Sequence, residues 1–293
     1  MNYAVDSLEF EAHWSNMLFN VSVISSTLLL YALYVVLFLF SIHTLRRQIP
    51  AGKILRVAAW AMFLLASAST IVACLAAGTS MHVVHTVVEG SPDAPTPVLR
   101  HYHALRLGQD IILAMNNLVT DLLFLYRCFV IWGARRGILV LPGMFIFATV
   151  VVGCIAALQY AGLMTLDPSV DPRVAVSMAG VTNTLLMFLT AGRIWYIRRE
   201  SKALSCQSFQ KRYATAIAIV LESGVLYSLC VIIYVISTSI KTESASETIF
   251  NGVAWSMVQI GVNIAPTLIL VRVGMGRSTE NTPPPTLGSS YKV

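Results

Sequence analysis

Residues 57–88, VAAWAMFLLASASTIVACLAAGTSMHVVHTVV, run for 32 positions without one Asp, Glu, Lys or Arg. A helix needs about 20 mostly apolar residues to cross a bilayer, so this stretch alone is long enough to span one. Equally clean runs occupy 12–45, 137–166, 174–192 and 248–271. Two more, 111–134 and 213–240, have the length but carry Asp121 and Arg127, and Glu222. The pattern predicts an all-α, polytopic membrane protein with seven transmembrane helices, at about 17–43, 57–82, 111–132, 138–163, 174–197, 213–240 and 248–271. Together they make one domain over 1–271, with the tail 272–293 expected to be disordered and cytoplasmic. That tail holds Pro283, Pro284 and Pro285 among several hydroxyl residues, a composition that builds no core.

The whole composition agrees. Of 293 residues, 56% are apolar and 12% charged, and the mean hydropathy is +0.72. Soluble domains carry about 25% charged residues, so a water-soluble globule is excluded, as is a disordered chain. Asp6, Glu9 and Glu11, rather than a basic region, precede the first run, which therefore reads as a signal anchor.

Lys and Arg set the orientation. With the N-terminus outside and the C-terminus cytoplasmic, 15 of the 20 basic residues fall inside and 10 of the 14 acids outside. The pI of about 9.2 then follows from topology, with anionic lipid as the counterpart, and calls for no nucleic acid. The chain is expected in a cellular membrane, multi-pass, with the plasma membrane as the assignment.

Ionisable residues inside a bilayer are costly and mark functional positions. At about 1.5 Å per residue, Arg127 lies roughly 12 Å, Glu222 roughly 15 Å and Arg193 roughly 8 Å from the inner boundary, and Asp121 lies near the midplane. An intramembrane charge cluster of Asp121, Arg127, Arg193 and Glu222 is expected, with Arg127 and Glu222 as the pair. A helix-locking ion pair, a switch and a proton relay all remain open for it. Asn117 stands at i−4 from Asp121, while Ser256, Gln259, Asn263 and Pro266 share one face of the seventh helix. These residues are the expected lining of a polar cavity, interhelical glue being the alternative.

Other chemistry finds little footing. All five lysines lie outside the helices, which excludes a retinal Schiff base. No phosphate-binding glycine loop, GxSxG elbow or HExxH motif occurs. The sequence therefore assigns no enzyme activity and no cofactor. His82, His85, His101 and His103 cluster near the outer surface as candidate metal or pH-sensing groups, without the thiolates or HExxH spacing that would specify a site.

Four segments carry a resemblance: 126–133 (YRCFVIWG), 192–199 (GRIWYIRR), 222–228 (ESGVLYS) and 263–272 (NIAPTLILVR). Together they resemble a large uncharacterised family of seven-transmembrane-helix proteins from mushroom-forming (basidiomycete) fungi, over most of the chain. The resemblance implies that Arg127, Arg193 and Glu222 belong to family motifs, and carries no activity with it. A looser likeness is to G-protein-coupled receptors. Tyr126-Arg127-Cys128 stands where those receptors have Asp-Arg-Tyr, and Asn263 to Pro266 echoes their Asn-Pro motif. No acid precedes Arg127, and no outer-loop cysteine ties down the third helix.

These readings lead to a receptor-like sensor of an unknown small ligand, signalling to a cytoplasmic partner such as a heterotrimeric G protein. The alternative is a transporter or lipid translocator using Asp121 and Glu222.

Overall fold

The computed structural model describes residues 7–46, 52–88, 95–133, 136–160, 171–201, 207–240 and 244–278. These form seven α-helices: α1 (Ser7–Arg46), α2 (Gly52–Val88), α3 (Pro95–Ile131), α4 (Val140–Tyr160), α5 (Pro172–Ser201), α6 (Gln207–Ser239) and α7 (Ala245–Ser278). One 3-10 turn, Arg136–Leu139, precedes α4. Six of the helices are long and apolar enough to cross a membrane; α6 contributes a shorter apolar stretch, Gly224–Ser239, among the described residues. The chain thus has the all-helical build that fits a multi-pass membrane protein.

Local sequence sets the helix ends. Pro95 and Pro172 open α3 and α5, where the missing N–H costs nothing because the first-turn donors have no intrahelical acceptor. Asp171 caps α5, its Oδ1 accepting from the Arg173 N–H at 2.9 Å. Ser244 and Glu247 stand in capping-box spacing at α7, with the Ser244 hydroxyl accepting from the Glu247 N–H at 3.3 Å. Past α3, Gly133 takes φ +68°, a left-handed conformation that ends helices and that only glycine adopts without strain.

Several helices run longer than the apolar runs that announce them, while α4, Val140–Tyr160, is described over less than its run of 137–166. α3 begins at Pro95, sixteen residues before the expected 111, because a helix can continue into polar surroundings where hydropathy no longer marks it. For the same reason α7 continues to Ser278, so residues 272–278 of the expected disordered tail are helical. The rest of that tail, 279–293, lies outside the described residues.

Sequence neighbours pack side by side from α1 to α6, α6 packs on α7, and α7 closes the ring on α1, while α3 leans inward to touch α5 and α7 as well. Of the six candidate spans, α7 is the most buried and α1 the least. Large apolar side chains such as Leu29, Leu39, Leu64, Phe147 and Phe188 point outward. In water that surface would be penalised at about 25 cal/mol per Å²; against lipid tails it is at home.

Small residues bring backbones together. A Cβ on Gly252 of α7 would stand 2.9 Å from the Phe19 carbonyl oxygen of α1 and collide with the Ser22 hydroxyl. Beside that contact the Ser256 and Ser26 hydroxyls meet at 2.7 Å. Between α1 and α2, Phe38 stacks on Phe63 with centroids 4.2 Å apart, and Trp60 presents its edge to Phe38 at 5.0 Å.

Candidate functional site

The third helix carries a polar face interrupted once, at Ala114. Arg106, Asp110, Ala114, Asn117 and Asp121 follow at steps of 4, 4, 3 and 4, which keeps them on one side of a 3.6-residue helix. Across from that face, Thr149, Gly153, Ala156 and Ala157 of α4 and Ala175, Val176 and Ala179 of α5 present mostly small side chains. Small residues facing one another leave a cavity of about 360 Å³, completed by Tyr234 of α6, Trp255 of α7, and Asn16 and Phe19 of α1. A Cβ added to Gly153 would meet nothing within 4 Å. Six helices contribute, and each does so from the same end of the bundle, the end at which α1 begins.

The mouth is held by aromatic and charged groups. The Arg106 Nε donates to the Tyr102 hydroxyl at 3.0 Å, and its guanidinium lies 5.0 Å from the Phe19 ring centroid. The Asn20 amide donates to the same Tyr102 hydroxyl at 3.1 Å, tying α1 to α3. Asp171 and Arg173 approach each other to 3.7 Å at the start of α5. Arg106, Asp110, Asp171 and Arg173 all lie within electrostatic reach of Tyr234, and of these Arg106 and Asp110 line the cavity.

The floor is different. Asp121 is 4% exposed and lines the cavity. Among the described residues no hydrogen bond or ion pair reaches its carboxylate, although Tyr227 lies within electrostatic reach. Asn117, one turn above, accepts from the Tyr227 hydroxyl at 3.5 Å.

The structure does not gather the four expected charges into a cluster. Glu222 pairs with Arg272 of α7, whose two terminal nitrogens each face one carboxylate oxygen, and its side chain is 58% exposed. The expected Arg127–Glu222 pair is therefore corrected. Depth along a helix says nothing of the direction in which a side chain points, and Glu222 points outward beside α7. Arg127 is half-buried on α3, with no ion pair among the described residues. Arg193 lies over Trp132 at 4.9 Å and Tyr196 at 5.3 Å, joining the far ends of α3 and α5 by cation–π contact.

The expected polar cavity is divided. Asn117 lines it; Ser256, Gln259 and Asn263 do not. Ser256 bonds to α1, and the Asn263 amide donates to the Gln259 carbonyl at 3.4 Å. Gln259 is 2% exposed, and among the described residues neither polar atom of its side-chain amide has a hydrogen-bond partner. His82, His85, His101 and His103 are exposed. Among the described residues no three His, Cys, Asp or Glu side chains converge to hold a metal.

Asp110, Arg106, Thr149 and Trp255 were not singled out by the sequence. Stepping on along the same face from Asn117, by seven residues and then by four, reaches the first two. The last two face the cavity only through tertiary packing.

No family model, no curated protein and no solved structure matches this chain.

Proposed function

We propose that this chain is a receptor-like sensor with seven transmembrane helices, N-terminus outside, that binds a small ligand in its outer half and signals to a cytoplasmic partner such as a heterotrimeric G protein. The cavity carries this reading: six helices line it, so one bound molecule touches all six. A ligand that fits two helix arrangements unequally shifts their populations by that difference. The same α3 that floors the cavity with Asp121 carries Arg127 and the Trp132–Arg193 contact at its other end, a mechanical path from ligand to cytoplasm. The transporter reading loses support from Glu222, one of its two acids, which pairs with Arg272 and does not line the cavity that holds Asp121.

The test is affinity purification from native membranes in mild detergent, with and without a non-hydrolysable GTP analogue. A heterotrimeric G protein that co-purifies and is released by the nucleotide supports the reading. Asp121-dependent flux of protons or solute in liposomes, with no such partner, overturns it.

A further inference from the structure

Resting on the reading of the cavity as a ligand site, we propose that its ligand is an amphiphilic organic monocation, an amine or quaternary ammonium carried on a compact apolar body. The charge count makes the argument. Three charged side chains line the cavity, and two of them, Arg106 and Asp110, are of opposite sign and stand one turn apart at the mouth. Asp121 is left over, deep in the cavity and without a partner among the described residues. A buried charge that lacks a counterion is expensive, and supplying one recovers much of that cost. A ligand ammonium at Asp121 would form a charge-assisted hydrogen bond, stronger than a neutral one, while the Asn117 side chain one turn above offers a second polar contact.

The walls specify the remainder of the molecule. Leu113, Ala156, Ala157, Val176 and Ala179 offer no charge between floor and mouth, so the body attached to the ammonium is apolar. The paired rings of Tyr234 and Trp255, with centroids 5.2 Å apart, close one side and favour a flat or aromatic group there. A dication would have only Asp110 for its second charge, one turn from the Arg106 guanidinium that repels it. An anion would meet Asp121 with nothing to offset it. Such pockets, apolar with few convergent polar groups, are the usual form of small-molecule sites.

The test uses the purified full-length chain in detergent and three probes of one shape: 4-phenylbutylamine, 4-phenylbutanol and 4-phenylbutyrate. Binding is read by thermal stabilisation and by isothermal titration. The amine is expected to bind at least tenfold more tightly than either of the others, and Asp121→Asn to remove that advantage. Gly153→Leu, which grows into open cavity space, is expected to block the amine. If the alcohol or the carboxylate binds the unaltered protein as tightly as the amine, and Gly153→Leu blocks it, the cation proposal falls while the cavity stands as a ligand site. If no probe binds, or binding ignores Gly153→Leu, both readings fall. The headgroup comparison needs only the unaltered chain, so a poorly folding Asp121→Asn variant does not shelter the proposal.

Discussion

Arg272 in the last third of α7 grips Glu222 of α6 with both terminal nitrogens, and the two side chains are 39% and 58% exposed. Glu222 lies just outside the apolar stretch Gly224–Ser239 and Arg272 closes the span of α7; an exposed pair at such a boundary gains little where solvent screens it and two flexible side chains must be ordered. Arg272→Ala or Glu222→Ala should therefore leave the thermal midpoint of the purified protein almost unchanged. The exchanged variant carrying Glu222→Arg and Arg272→Glu should match the parent. A large loss in either single variant would show that the pair is structural after all.

The contact between α1 and α7 should be far less forgiving. A methyl group at Gly252 meets the backbone oxygen of Phe19, which cannot swing aside as a side-chain end can. Overpacking of this sort costs about 1–3 kcal/mol, so Gly252→Ala should visibly lower thermostability in detergent. Gly78→Ala supplies the control. No atom lies within 4 Å of its Cβ position, and alanine is favoured over glycine within helices by up to about 1 kcal/mol. The control should be neutral or stabilising.

Arg193 joins α3 to α5 through Trp132 rather than through a carboxylate. A double-mutant cycle of Arg193→Ala and Trp132→Leu, read by thermal unfolding, should give a coupling of about 0.5–1 kcal/mol. Arg193→Lys should keep only part of it, because a compact ammonium stacks less well than a planar guanidinium. Strict additivity of the two substitutions would mean that the stacked geometry contributes nothing.

Asn20 belongs to the one glycosylation sequon, Asn20-Val21-Ser22, yet its amide is buried and donates to the Asn16 carbonyl at 2.7 Å and to Tyr102. An amide so engaged offers no free nitrogen to a glycosylating enzyme. Enzymatic deglycosylation of the protein from native membranes should leave its electrophoretic mobility unchanged. Asn20→Ala should lower stability by about 1 kcal/mol, the usual worth of such bonds inside helical membrane proteins.

Hydropathy made the helices legible and hid their lengths. The runs at 57–88 and 248–271 were enough to place α2 and α7, since each must satisfy its backbone internally if it is to lie in lipid. The polar opening of α3 gave no such signal, yet it supplies Arg106 and Asp110. Within the site, Asp121 and Asn117 could be read from an i−4 step, because that relation is fixed by one helix alone. The partner of Glu222 could not be read in the same way. It depends on the rotation of α6 against α7, and the sequence fixes spacing along a helix but leaves the helix free to turn about its axis. The same blindness grouped Asn117 with Ser256, Gln259 and Asn263, which share a depth but not a direction.

Arg127 is the last test, and it separates signalling from binding. It lies six residues beyond Asp121 on α3, about 120° further round the helix at 3.6 residues per turn, and it does not line the cavity. A substitution there leaves every cavity contact in place. If α3 transmits occupancy of the cavity to the cytoplasmic side, Arg127→Ala should abolish nucleotide-sensitive co-purification of a G protein. Stabilisation by 4-phenylbutylamine should meanwhile stay within about twofold of the parent, since less than 1.4 kcal/mol separates states differing by under tenfold. Loss of both together would mean that Arg127 holds the fold, and the thermal midpoint of the empty variant would show it directly. Loss of neither would remove α3 from the signalling path.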